Sequence, residues 1–145
     1  MTAATPLVRS HDRQPIRYLV VDDSLFARKA LAQMITGLGG EVVAEAGDGC
    51  TAVTEYLRAR PDIVLLDIVM PRMEGIEAAE CILQQDPNAC IVMVSSVGHQ
   101  HNIVVALQKG ARHFLQKPVK PEMLEAAVKY VLGAKASPLP LETLG

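Results

Sequence analysis

The chain has no tryptophan, only three tyrosines and only two phenylalanines in 145 residues. Aliphatic side chains must therefore fill its interior, the usual composition of a sheet covered by helices. Half of the residues are apolar, enough for a core, and the length argues for one domain. The three cysteines, Cys50, Cys81 and Cys90, are odd in number and lack metal-ligand spacing, so they read as reduced thiols rather than a disulfide framework or a zinc site. Apolar runs stay well short of the ~20 residues that span a bilayer. Residues 1–15 are polar and lack the apolar centre of a secretory signal. These absences predict a cytoplasmic protein with no membrane insertion. A dominant charge is missing as well. The net charge of −2 is unevenly spread: residues 1–98 carry 8 Lys/Arg against 13 Asp/Glu, and residues 99–135 carry 6 against 2. So small an excess gives no argument for nucleic acid. It suits an acidic protein partner and a plain solvated surface equally.

What is present is a strict alternation of strand and helix signals. Apolar, β-rich runs occupy residues 16–21, 41–46, 63–66, 91–94 and 112–116. The first helix follows Ser24, a suitable cap, and stops at Gly39-Gly40. The second lies near 51–59, between the Asp48-Gly49 turn and Pro61-Asp62. The third covers 76–85 and the fourth 99–108, closed by Gly110. Pro121 stands where a first helical turn tolerates proline, and Leu124, Ala127, Val128, Val131 and Leu132 form the stripe of the last helix. Repeated βα units with continuous apolar strands predict an α/β domain, a doubly wound parallel sheet with helices on both faces. The folded unit is expected over 16–133. Residues 1–15 are expected to be a flexible amino-terminal extension, and 134–145 a flexible carboxy-terminal tail.

Chemistry concentrates at the strand ends. Asp22 and Asp23 close the first run, Asp67 the third, Ser95 the fourth and Lys117-Pro118 the fifth. In an open parallel sheet, ligands sit beyond the carboxyl ends of the strands, where the strand order reverses. Carboxylates crowded there repel, so stability alone gives no reason for them. A hard cation such as Mg2+ relieves the repulsion and takes oxygen ligands. Capping explains Asp22 and Asp23 when they are taken alone. It does not explain Asp67, which no helix immediately follows. Lys117 reads either as an exposed lysine or as a cation for a carboxylate or phosphoryl oxygen. A cis bond to Pro118 would turn it into the pocket. Ser95 reads as a strand-end hydroxyl bonded to backbone or as a phosphoryl donor, and Ser96 beside it leaves the pocket open.

With these residues in place, the chain resembles the receiver domains of two-component response regulators, over roughly residues 16–132. The resemblance rests on Val20-Val21-Asp22-Asp23-Ser24, on Leu65-Leu66-Asp67-Ile68-Val69-Met70-Pro71 with Gly75, on Val94-Ser95-Ser96, on Gly110-Ala111 and on Lys117-Pro118. It implies a flavodoxin-like (βα)5 fold with strand order 2-1-3-4-5. Asp67 is implied as the phosphoacceptor from a histidine kinase. Mg2+ is implied on Asp22, Asp23, Asp67 and the carbonyl of Val69. Lys117 would bind the phosphoryl group, Ser95 would swing toward it, and Phe114 would rotate inward as the coupled aromatic switch. The face of the fourth helix, fifth strand and fifth helix would then change for a downstream protein target, in a monomer or a phosphorylation-dependent dimer. Ser95-Ser96-Val97-Gly98 is similar to stand-alone chemotaxis-type members.

The chain departs from the family pattern at three residues. Val69 and Val97, two positions after Asp67 and Ser95, are apolar where the family flanks the attacking water, so slow self-dephosphorylation is expected. Val119 replaces a common aromatic. His99, His101 and His113 read as surface residues, because residues two apart diverge on a helix and make a poor metal pair. Other readings compete. One is a receiver module detached from an effector domain, or a phosphate sink. An aspartyl-nucleophile phosphatase would need Asp-x-Asp after the first strand, where Asp22-Asp23-Ser24 stands. A flavin carrier would need a Ser/Thr-rich phosphate loop and benefits from a tryptophan; the chain has neither.

Overall fold

Runs of Val, Ile and Leu with both faces apolar become strands buried on both sides. The computed structural model, which describes residues 7–9, 12–70, 73–96, 98 and 100–133, bears this out. Its strands are β1 (Arg17–Val21), β2 (Glu41–Ala46), β3 (Ile63–Asp67), β4 (Ile91–Ser95) and β5 (His113–Gln116). They alternate with α1 (Leu25–Gly37), α2 (Gly49–Ala59), α3 (Gly75–Gln85), α4 (Gln100–Gln108) and α5 (Pro121–Leu132). All pairs are parallel and the sheet order is β2-β1-β3-β4-β5, the doubly wound order expected.

The period-two alternation of side chains divides the core into two layers. Leu19, Val21, Val64, Leu66, Ile91 and Met93 point to α2, α3 and α4. Tyr18, Val20, Ile63, Leu65, Val92 and Val94 point to α1 and α5. The helix starts follow their side chains. Ser24 Oγ accepts the Ala27 N–H at 3.2 Å, and Asp48 Oδ1 accepts the Thr51 N–H at 2.8 Å. Gly110, at φ +118, turns the chain from α4 into β5.

The extension expected to be flexible over 1–15 is packed where it is described. Leu7 is 2% exposed in the α1/α5 core layer, and its N–H donates to the Leu38 carbonyl at 3.1 Å. Val8 and Pro15 form an antiparallel bridge, and Arg9 pairs with Asp12 at 2.6 Å and Asp62 at 3.6 Å. An isolated apolar pair, Leu7-Val8, carries no periodicity, so the sequence gives no sign of this docking. Residues 1–6, Ser10, His11 and the tail 134–145 lie outside the described residues.

Removing the Leu7 side chain tests whether the strap belongs to the cooperative fold. Leu7→Ala is expected to lower the unfolding free energy by about 2 kcal/mol, the low end for a buried leucine, measured by urea denaturation of the full chain. An unchanged midpoint would show that the strap contributes nothing.

Candidate functional site

Strand register places the chemistry. Val21 on β1 is beside Leu66 on β3, so the next residues, Asp22 and Asp67, meet at the point where the strand order reverses. Asp67 is beside Val94 on β4, and Ser95 is beside Gln116 on β5. The Lys117 N–H continues that ladder to the Ser95 carbonyl at 2.7 Å. Lys117 therefore enters from β5, and the peptide bond to Pro118 is cis, as considered from the sequence.

Asp22, Asp23 and Asp67 each offer a carboxylate oxygen within 4.8 Å of the others. Asp22 and Asp67 are buried and Asp23 is exposed at the rim. The Lys117 ammonium lies 2.8 Å from Asp22 Oδ2 and 3.7 Å from Asp67 Oδ2. Asp22 Oδ1 accepts the Ser24 N–H at 2.9 Å, so Asp22 is not the helix cap; Ser24 is. A cavity of about 320 Å3 is lined by Asp23, Asp67, Ile68, Val69, Ser96 and Lys117. Gly75 packs against the backbone of Asp67 and Ile68: its N–H donates to the Ile68 carbonyl at 2.8 Å, and a Cβ there would strike the Asp67 carbonyl.

The electrostatics follow from burial and crowding. Burial, then the charge of Asp22, push the Asp67 carboxyl up to about 6; Lys117 opposes this and Asp23 adds to it. Burial pulls the Lys117 ammonium down, but its hydrogen bond to Asp22 and the charges of Asp67, Asp22 and Asp23 outweigh that, and its pKa rises. One ammonium among three carboxylates leaves a negative pocket, and the donor set is all hard oxygen. These residues fit a small divalent cation such as Mg2+.

Not every expected residue converges. Ser95 is 1% exposed, and its hydroxyl donates to the Ser96 carbonyl at 2.9 Å; Ser96, not Ser95, lines the cavity. Phe114 is 36% exposed on β5, away from the acidic cluster, with its ring 5.9 Å from that of His113, which in turn lies 5.3 Å from Tyr130 on α5. Val104 and Leu107 of α4 and Tyr130 of α5 are exposed as well. His101 is exposed, whereas Pro71, Val97 and His99 lie outside the described residues. Val119 gains a physical account. It lines, with Phe26, Ala27, Ala30 and Pro118, an apolar groove of about 410 Å3 between α1 and the loop after β5. The sequence reading missed Arg28, whose guanidinium holds the Asp22 carbonyl at 2.6 Å. A basic residue in the first turns after the acidic pair was the available signal.

A five-stranded 2-1-3-4-5 sheet with a carboxylate cluster and a lysine at its carboxyl edge is the architecture of a phosphoryl-accepting signalling domain. The response regulator receiver domain family matches residues 18–129, and the chain belongs to it. It is a phosphorylation-activated response regulator receiver, a signalling protein. Its relatives include the chemotaxis protein CheY of Thermotoga maritima, 43% identical over 115 residues, covering 79% of this chain and 96% of that protein. The chemotaxis protein CheY of Bacillus subtilis is 40% identical over 116 residues, covering 80% and 97%. Among solved structures, a chain of the CheX-CheY-BeF3-Mg2+ complex from Borrelia burgdorferi superposes with a TM-score of 0.81 at 36% identity, covering 86% of this chain and 94% of that one.

The strain at Asp67 has a measurable sign. Its folded pKa is raised above the unfolded value, so its contribution to stability is full below about 3.8 and is lost as pH rises through about 6. Above that range the ionised carboxylate opposes folding. Asp67→Asn is therefore expected to stabilise the metal-free protein at pH 7.5 by about 2 kcal/mol, with little gain at pH 4, in urea melts with EDTA. Equal effects at both pH values would contradict this origin.

Proposed function

We propose that Asp67 accepts a phosphoryl group from a histidine kinase and that the resulting charge switches the α4–β5–α5 face toward a downstream protein target. The observation that carries the reading is the convergence of Asp22, Asp23 and Asp67 within 4.8 Å around Lys117 at the carboxyl edge of the sheet. A carboxylate oxygen of Asp67 forms the new bond to phosphorus, the bond from phosphorus to the donor imidazole nitrogen breaks, and that imidazole takes a proton from solvent. Asp22, Asp23, Asp67 and the carbonyl of Val69 would hold Mg2+, which when bound neutralises charge on the phosphoryl oxygens. Lys117 exchanges its contact with Asp22 for a phosphoryl oxygen, a stronger charge-assisted partner.

The phosphoryl group carries about two negative charges at pH 7 where the Asp67 carboxylate carried one, and the neighbouring loop is the element this change biases. Ser95 leaves the Ser96 carbonyl and donates to the phosphoryl group. Phe114 moves inward from its present exposed position. The surface of Val104, Leu107, Phe114 and Tyr130 thereby changes shape. The relatives named as chemotaxis proteins support a stand-alone chemotaxis receiver, which would work in the cytoplasm as a monomer or a phosphorylation-dependent dimer. No helix among the described residues is long and apolar enough to cross a membrane. The chain's only catalysis would be of its own phosphorylation and dephosphorylation.

Incubation with Mg2+ and acetyl phosphate, read by intact mass, tests the chemistry. Wild type should gain one phosphoryl group, and Asp67→Asn, or wild type without Mg2+, should gain none. A phosphorylated Asp67→Asn protein would overturn the assignment of the acceptor.

The phosphorylated state is expected to last minutes or longer. Val69 is 47% exposed beside Asp67 and, like Val97 in the sequence, has no polar group to orient an attacking water. A polar Val69→Asn should shorten the lifetime about tenfold, less than the ~10²–10⁴-fold of a general base, because an amide orients a water without taking its proton. Loss of the phosphoryl group from wild type within seconds would refute the expectation.

A further inference from the structure

Arg28 stands one turn into α1 with its side chain only 18% exposed. Nη1 donates to the Asp22 carbonyl at 2.6 Å, and Nε reaches Glu45 Oε1 on β2 at 3.2 Å. Lys29 holds the other oxygen of Glu45 at 3.1 Å, which steadies the acceptor. The remaining polar atoms of Asp22 are also tethered. Its N–H donates to the Ala46 carbonyl at 3.1 Å, one carboxylate oxygen accepts the Ser24 N–H and the other accepts Lys117. The carbonyl that Arg28 holds belongs to the peptide joining Asp22 to Asp23. A peptide is planar, so fixing its oxygen fixes the direction in which Asp23 leaves the strand. Asp23 is the exposed carboxylate of the three and has the least packing to hold it. Gly47, at the end of β2, leaves room for the guanidinium: a Cβ there would lie 3.3 Å from Nη1.

We propose that Arg28 is a positioning residue for the acidic pocket, clamping the Asp22–Asp23 peptide to β2 so that both carboxylates are set for a divalent cation. The inference rests on the reading of that pocket as a Mg2+ site. Its electrostatic effect runs the other way: a guanidinium beside three carboxylates repels a dication, so removing it would tighten binding if charge were all that mattered. Positioning and charge thus predict opposite signs, and a role in stability alone predicts no change in affinity.

The test is an amide NMR titration of the full chain with MgCl2 at pH 7.5, with thermal unfolding recorded on the same samples. Arg28→Ala should weaken Mg2+ binding about tenfold, the low end of the ~10–100-fold lost when a partner orienting a metal ligand is removed, because the repulsion of the dication is removed with it. Arg28→Lys keeps the charge but loses the planar fork that serves two acceptors, and should fall between the two. Because that charge is kept, a loss in Arg28→Lys reports geometry alone, and this variant decides the matter if Arg28→Ala does not fold. Unchanged or tighter binding in folded Arg28→Ala, or an unchanged constant in Arg28→Lys if Arg28→Ala does not fold, would overturn the proposal. A wild-type chain that binds no Mg2+ would instead overturn the reading of the pocket itself.

Discussion

Three carboxylates meet at one end of the sheet with a single ammonium among them, and much of the structure around that end is a response to the imbalance. Two of the three are buried, so water cannot screen them. Burial first and their closeness second raise the Asp67 pKa, and Lys117 is bound tightly to Asp22. What holds the charges together is the sheet: β1 and β3 are apolar on both faces and pair in register up to the residue before each carboxylate. The hydrophobic core therefore supplies the free energy that keeps repelling groups in contact, as is common where a site is built for a ligand that is itself charged.

Lys117 connects that constraint to the rest of the domain. It is three residues beyond Phe114 on a short edge strand, and its backbone N–H bonds Ser95 at the end of β4. In the proposed function, the partner that Lys117 selects is felt along β5, where one face packs Leu115 into the core and the other shows Phe114 to solvent. A four-residue edge strand paired on one side has fewer contacts to resist rearrangement than β3, buried through its whole length. The rigid part of the site thus lies at the centre of the sheet and the adaptable part at its edge.

The far end of the domain is secured differently. Leu7 fills the α1/α5 layer from outside the βα pattern, and Arg17 donates to the Ala59 and Arg60 carbonyls, closing the carboxyl end of α2. Neither contact shows in periodicity, because each depends on a gap or an orphan carbonyl made by another element.

The order of elements, the doubly wound class and the five strand-end residues could be read from the chain alone. Each is a local signal: a run of apolar residues, a cap, a glycine, or a polar residue where a run stops. Asp22, Asp23, Asp67 and Lys117 were legible as a set because strand ends on one edge of a parallel sheet must be neighbours. Tertiary structure alone decided the rest. It turned the Ser95 hydroxyl to the Ser96 carbonyl, left Phe114 exposed, opened a groove beside Val119, docked Leu7 and brought Arg28 onto the Asp22 carbonyl. These are choices among rotamers and gaps separated by small energies, and they are settled by neighbours distant in the chain, which no local pattern encodes.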